Sequence, residues 1–423
     1  MAASAAADAA AAAAEAEAAA RGAMAATKAA VANDTAVAAT LAVAEASAAA
    51  PAAPPPPPPP AVAPSAEGPL LVIGVPSLRR EGDLDYLLRT LGYIIAQTTG
   101  GGGAVAAAGG SDAPGAHPLR VRVLVMDHSR APGTHGAFEE AARLYCHAPA
   151  LGGCARVEAP GQPQHAVLAS RGGVVAFATN GVPRAEDGED PGNDNVPGAR
   201  VRAQTRDVVA LLRLAAALYG AGGALAPGGS AGFDAYMFLE DDFRVCPSGL
   251  AALAFAFARA GALQPDWNAL RVSYGLNGGV LRAADVSTFA AYLEEHQARR
   301  PPDHLWVEWF AGERPQSAAR KAGRPHVAFR YNVLEHFGAS SSLRAKVAPL
   351  YAMCYDELNE KVVFEVEAFK PLQCAHDWVW PCWPAGDGRY AEPQRALPQP
   401  GVDFEALARN AAADSVQKYA MAR

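Results

Sequence analysis

Phe233-Asp234-Ala235-Tyr236-Met237-Phe238-Leu239-Glu240-Asp241-Asp242 carries an aromatic and aliphatic run straight into three consecutive carboxylates. The run from Phe233 to Leu239 reads as a buried strand, apolar on both faces. Three adjacent acids at its end repel one another. A hard divalent cation with oxygen ligands, Mn²⁺ or Mg²⁺, would relieve that repulsion. In open α/β sheets the carboxyl ends of the strands are where ligands bind. The pattern is that of a D-x-D-type motif, in which acids hold a metal against a sugar-nucleotide diphosphate. A solvated acidic turn after a core strand is the alternative that this stretch leaves open.

Outward from it, the chain alternates strands and helices. Leu70-Leu71-Val72-Ile73-Gly74-Val75-Pro76 reads as a buried strand with a Gly-x-Pro exit, followed by Ser77 and by Arg79-Arg80-Glu81. Asp83 is placed to cap a helix through Tyr86, Leu87, Leu91 and Ile94-Ile95. Arg120 to Met126 is a second strand, ending at Asp127. A helix from about Ala203 to Tyr219 carries Gln204, Arg206 and Asp207 near its start. Cys246-Pro247-Ser248 starts another helix, with Leu250, Leu253, Phe255 and Phe257 as core candidates. Trp267 to Tyr274 reads as a strand, Ala284 to His296 as a helix, and Phe329 to His336 as a further apolar segment. Apolar strands with polar exits, separated by helices, predict an α/β fold with a mostly parallel central sheet and flanking helices.

Composition narrows the class. The 423 residues suffice for one large domain or two ordinary ones. Residues 1–66 are an Ala-rich stretch and the proline run Pro54 to Pro60, read as a disordered tail and stiff polyproline linker. They hold neither a basic, Leu-rich signal sequence nor a span of large apolar residues. Net charge is −7 with acids and bases interspersed, so no basic stripe points to nucleic acid. The six cysteines form no C-x-x-C pair, which argues against a zinc cluster and permits disulfides. A phosphate-binding G-x-x-x-x-G-K-[ST] loop is absent, which argues against a metal-dependent phosphotransferase or nuclease.

Val72-Ile73-Gly74-Val75-Pro76-Ser77 with Arg80-Glu81, Leu239-Glu240-Asp241-Asp242, Gly278-Gly279-Val280-Leu281, Asp303-His304-Leu305-Trp306-Val307, and Leu334-Glu335-His336-Phe337-Gly338 with Ser341-Ser342-Leu343 and Lys346 occur in this order. Together they resemble the N-acetylglucosaminyltransferase IV family, Golgi enzymes that branch N-glycans with β1,4-linked N-acetylglucosamine. The resemblance spans roughly residues 70–346. It implies a GT-A-type nucleotide-diphospho-sugar transferase fold over 67–350 and an inverting, Mn²⁺- or Mg²⁺-dependent transfer. The donor would be a UDP-sugar, UDP-N-acetylglucosamine in that family, and the acceptor a mannose-containing glycan. It further implies a Golgi or secretory-pathway lumen; the family's membrane anchor has no counterpart here. Residues 351–423, rich in Cys, Trp and Pro, are expected to pack on the catalytic domain. They resemble instead the GT-A enzymes that add N-acetylgalactosamine to GPI-anchor mannose. A non-catalytic sugar-nucleotide-binding relative is a further alternative.

Roles follow for single residues. Asp241 and Asp242 are candidate metal ligands, with His336 a third from the C-terminal side, and Glu240 faces the ribose or the sheet. An inverting transfer needs a carboxylate to deprotonate the acceptor hydroxyl. Asp303 is the first candidate and Glu308 the second, although Pro301-Pro302-Asp303 is also a good helix start. Pro76, Arg80, Arg206, Ser341 and Ser342 are candidate donor-binding residues. Trp306 and Trp309 suit a sugar platform or core packing.

Overall fold

The computed structural model describes residues 68–80, 85–98, 104–105, 119–129, 133–147, 153–170, 173–181, 197–226, 232–338, 352–375, 377–382 and 403–411. The expectations for 1–66, Asp83, Ser341 and Ser342 lie outside the described residues. Strands are β1 (Leu70–Ser77), β2 (Ala104–Val105), β3 (Leu119–Asp127), β4 (Cys154–Val157), β5 (Ala166–Ser170), β6 (Val175–Thr179), β7 (Ala235–Phe238), β8 (Phe243–Val245), β9 (Ala269–Arg271), β10 (Gly279–Arg282), β11 (His326–Phe329), β12 (Leu334–His336) and β13 (Val379–Trp380). Helices are α1 (Tyr86–Ala96), α2 (Gly136–His147), α3 (Ala199–Tyr219), α4 (Gly249–Leu263), α5 (Ala283–His296), α6 (Pro302–Ala311) and α7 (Pro315–Lys321). None of the described helices is long and apolar enough to cross a membrane.

Eleven strands form one mixed sheet in the order β13-β11-β9-β10-β7-β1-β3-β6-β5-β4, with β2 beside β3. Its centre, β7-β1-β3-β6, is parallel; β10, β5, β4 and β13 join antiparallel. The three strands expected from the apolar runs, β1, β3 and β7, are direct neighbours. Side chains alternate across a strand, so a run apolar at every position needs cover on both faces. Leu71, Ile73, Val75, Val123 and Met237 meet Leu87 and Leu91 of α1, Phe138 of α2 and Leu253 of α4. Leu70, Val72, Met126, Tyr236 and Phe238 meet Leu212 of α3, Phe289 of α5 and Trp306 and Trp309 of α6. The result is three layers, helix, sheet and helix. Gly74 has a packing reason: a Cβ there would lie 1.9 Å from the Tyr236 hydroxyl oxygen.

Several boundaries differ from the sequence reading. The expected strand 267–274 is only Ala269–Arg271. A three-residue strand, β8, separates the acids from α4. The segment 329–336 divides: β11 belongs to the large sheet, whereas β12 pairs with β8 in a second, two-stranded sheet. Buried Asn332 makes the corner, its amide donating to the carbonyls of Leu334, Ala352 and Met353.

The C-terminal residues are knitted into the same core. Cys354 is bonded to Cys246, Asp377 pairs with Arg259 at 2.7 Å, and β13 extends the sheet from β11. Cys146–Cys154 and Cys374–Cys382 are the other disulfides. Buried Arg271 pairs with Glu367 and donates to the Gly275 carbonyl at 2.6 Å. The C-terminal segment therefore holds the loop that follows β9.

His326 supplies a pH prediction. Its ring is stacked on Phe310 with centroids 4.5 Å apart, and it is buried. Burial, with Arg271, Lys321 and Lys370 adding to it, pushes its pKa down to about 3 from 6.5. Between those values the unfolded chain binds more protons than the folded one. Acidification through that window therefore costs stability, by up to about 1.4 kcal/mol per pH unit. His326→Phe is expected to flatten the dependence of Tm on pH below 6.5 relative to wild type; equal slopes for the two proteins would count against it.

Candidate functional site

Because β7, β1, β3 and β6 are parallel, their carboxyl ends emerge along one edge. Ser77, Asp127 and Thr179 lie there in register, and Glu240-Asp241-Asp242 follows β7. The acids form a turn before β8, and that turn is held from both sides. Thr90 of α1 donates to the carbonyls of Asp241 and Phe243 at 2.8 and 2.7 Å. The Phe337 amide donates to the Asp242 carbonyl at 3.0 Å. Pairing of β8 with β12 then brings His336 beside the acids. A Cβ on Gly338 would run into the Asp242 carboxylate, which accounts for glycine there.

Asp241 and Asp242 share Arg80, whereas Glu240 has partners of its own. Asp241 accepts from the Ser77 hydroxyl at 2.6 Å, and Ser77 in turn is 2.8 Å from His135 Nε2. Arg80 donates one nitrogen to Asp241 Oδ1 at 2.6 Å and lies 2.9 Å from Asp242 Oδ2 through the other. His336 Nε2 lies 3.1 Å from the same Asp242 oxygen. Glu240 is held by Asn277, whose amide donates to its carboxylate at 2.9 Å and accepts from its backbone N–H at 2.7 Å. Gln204 of α3 donates to the other Glu240 oxygen at 3.3 Å.

Electrostatics separates these acids. Burial, then the Asp242 charge, pushes Glu240 up to about 7 against the Asn277 hydrogen bond and Arg80. Burial also raises Asp241, although Arg80 opposes it. Burial acts on Asp242 in the same direction, but the His336 hydrogen bond and Arg80 outweigh it and hold that carboxyl low. His336 itself is pushed down by burial, yet Asp242 more than compensates and raises it. Asp242 is thus held toward its ionised form, while Glu240 is held toward its protonated form.

A cleft beside the acids is lined by Pro76, Ser77, Arg80, His128, Gln204 and Asp207, among others. Pro76, Arg80, Glu240, Asp241, Asp242 and His336 of the sequence reading are therefore brought together. Arg206 is not: it extends from the other side of α3 to Gln297 at 3.3 Å. Glu308 is a second correction. It is buried between α5 and α6, paired with Arg299 and Arg300 and hydrogen-bonded by Tyr292, and these partners hold its pKa low against burial. All its capacity is used in packing, so it is not free to take a proton from a substrate. Trp306 and Trp309 are core residues against Phe289.

Asp303 lies in the first turn of α6, half-buried, with Oδ1 accepting from the His304 amide at 2.9 Å. Its charge acts on Arg271, opposing the burial that pushes that guanidinium down to about 9. Arg271 is fixed to the carbonyls of Ser273, Gly275 and Asn277, and Asn277 holds Glu240. Asp303 is not among the described residues that line the cleft beside the acids, and its hydrogen bond is to the His304 amide of its own helix. Gln204, Asn277, Ser77 and the His128–Asp207 contact at 3.1 Å are site features that single-residue reasoning did not assign. Their only sequence signal was a position at a strand exit, in a glycine-rich loop or near a helix start.

The donor types at Asp241 and Asp242 suit a hard divalent cation. Their arrangement is another matter. Among the described residues no group of three or more His, Cys, Asp or Glu side chains is disposed to hold a metal. Arg80 already bridges the two aspartates, while Asp242 Oδ1 has no hydrogen-bond partner among the described residues. No protein-family model matches the chain, and no curated protein matches it.

Proposed function

We propose that this chain is an inverting glycosyltransferase that uses a UDP-sugar and a mannose-containing glycan acceptor. The observation that carries the reading is the Glu240-Asp241-Asp242 turn at the carboxyl end of a central parallel strand, beside a cleft with Arg80, Gln204 and Asp207. Asp241 and Asp242 would hold Mn²⁺ or Mg²⁺, with His336 adjacent to Asp242. When bound, the ion would neutralise the diphosphate as it leaves. The chain's own residues have the other tasks. Asn277 and Gln204 keep Glu240 aimed along the cleft, where it can accept from a ribose hydroxyl. Asp303 takes the proton of the acceptor hydroxyl as that oxygen bonds to the anomeric carbon and the bond to UDP breaks.

Three disulfides among the described residues support an oxidising compartment such as the secretory-pathway lumen. The N-glycan reading, with UDP-N-acetylglucosamine as donor, rests on the resemblance over 70–346. The second acceptor class, GPI-anchor mannose with N-acetylgalactosamine as the transferred sugar, rests on the resemblance of the Cys- and Trp-rich C-terminal segment. A panel of UDP-sugars tested by thermal shift with and without Mn²⁺ separates them, because a bound donor stabilises the folded state by mass action. The cognate donor is expected to raise Tm in Mn²⁺ and to be hydrolysed slowly. Binding without any turnover supports the non-catalytic reading, and no shift with any UDP-sugar overturns both.

A further inference from the structure

His128 is the first residue after β3, and its amide donates to the Ser77 carbonyl at 2.9 Å. The ladder between β1 and β3 thus fixes its backbone at the carboxyl edge of the sheet. His128 lines the cleft beside the acidic turn, together with Gln204 and Asp207 of α3. Its Nδ1 lies 3.1 Å from Asp207 Oδ1 and 3.1 Å from the Asn180 side-chain nitrogen. The carboxylate is the stronger partner and selects the tautomer with the proton on Nδ1. In the neutral ring that leaves a lone pair on Nε2, at the tip of the side chain. The side chain is only 1% exposed, yet Nε2 has no hydrogen-bond partner among the described residues. Most buried polar atoms of folded proteins are paired, so an exception beside a cleft calls for a partner from outside the chain.

We propose that His128 is a ligand-binding residue of the cleft: Asp207 holds its Nδ1–H, and Nε2 accepts a hydrogen bond from a hydroxyl of the bound molecule. The contact that sets the tautomer also fixes the ring, so the acceptor is in place before the ligand arrives. Its surroundings select the chemistry of that partner. Asp207 and Glu240 bring carboxyl groups to the cleft, and the Arg80 guanidinium there is shared by Asp241 and Asp242. An uncharged, hydroxyl-bearing part of a ligand suits this place better than an anion does. A ribose and a pyranose both offer that chemistry. The choice of ligand rests on the reading of the cleft as a UDP-sugar site, but the hydrogen bond itself requires no metal ion. Exclusion of water from Nε2 strengthens such a bond once it forms.

The test is binding of uridine, methyl α-mannoside and UDP-N-acetylglucosamine by calorimetry, with and without Mn²⁺, to wild type, His128→Asn and His128→Gln. An asparagine amide reaches the Nδ1 position and can keep the Asp207 contact, whereas a glutamine amide reaches the Nε2 position. His128→Asn is expected to melt like wild type and to bind the recognised probe roughly tenfold more weakly, the worth of one hydrogen bond. His128→Gln is expected to lose less. An effect on uridine assigns the hydroxyl to the ribose, one on methyl α-mannoside to an acceptor pyranose, and one on UDP-N-acetylglucosamine alone to the transferred sugar. Should the asparagine variant not fold, the nitrogen NMR shift of His128 Nε2 in wild type decides: a change on adding the bound probe supports the contact, and none overturns it. If both variants bind every probe as wild type does, the His128 proposal fails and the UDP-sugar reading stands. If wild type binds none of the three probes under either condition, the functional reading fails and the proposal with it.

Discussion

Asp242→Ala is expected to leave the protein folded and to abolish its Mn²⁺-dependent stabilisation by a UDP-sugar. Asp242 is held as an anion by His336 and Arg80 in spite of burial. It is also the member of the acidic turn that keeps one carboxylate oxygen, Oδ1, out of the hydrogen bonding among the described residues. Removing the side chain loses the pairs with Arg80 and His336. It also removes the repulsion that raises both Glu240 and Asp241. These effects oppose each other, and the backbone of the turn stays fixed by Thr90 and Phe337. A small change in unliganded Tm is therefore expected. The ligand effect is large by comparison: a donor at a hundred times its Kd stabilises by about 2.7 kcal/mol, and all of it should vanish. A thermal-shift titration decides the matter. If the variant still responds to UDP-sugar and Mn²⁺ as wild type does, the metal lies elsewhere.

The central strands were legible because each is apolar at consecutive positions and is covered on both faces, as with Leu70 and Leu71 of β1. Edge elements were not. Strand β4 is partly or fully exposed at all four residues, and with the hairpin to β5 it carries no two-faced apolar run. Strand β8 has three residues, too few for a period to show. The division of 329–336 between two sheets depends on the Asn332 amide meeting carbonyls as far off as Ala352 and Met353, which no local pattern announces. At the site, the acids could be found from sequence because repulsive clusters are unusual at a strand end. Their partners could not. Ser77 and Arg80 reach Asp241 across more than 150 residues, and Asn277 reaches Glu240 from a loop whose conformation depends on Arg271 and Glu367. Arg206 misled because α3 presents Gln204 and Asp207 to the cleft and Arg206 to α5.

Asp303 and Glu308 lie five residues apart on one helix, so at about 100° per residue they point in widely different directions. A single helix cannot offer both to one substrate, and the structure has given Glu308 to Arg299, Arg300 and Tyr292. Asp303 is the remaining candidate base, half-buried and coupled through Arg271 to the loop that holds Glu240. Asp303→Asn is expected to keep donor affinity and to lower kcat by roughly 10²–10⁴-fold, the usual worth of a general base. Asparagine can still accept from the His304 amide, so the first turn of α6 keeps its hydrogen bond and Tm should hardly move. Glu308→Gln supplies the contrast. It takes the buried anion from two arginines; because Arg299 and Arg300 are partly exposed and Arg300 keeps Glu313, the cost is below that of a fully buried pair, but Tm should still fall. Single-turnover transfer, donor titration and melting on both variants separate chemistry from stability. If Asp303→Asn transfers sugar at the wild-type rate, no carboxylate of α6 is the base. The binding reading then gains, since it needs the acidic turn and the cleft but no proton acceptor.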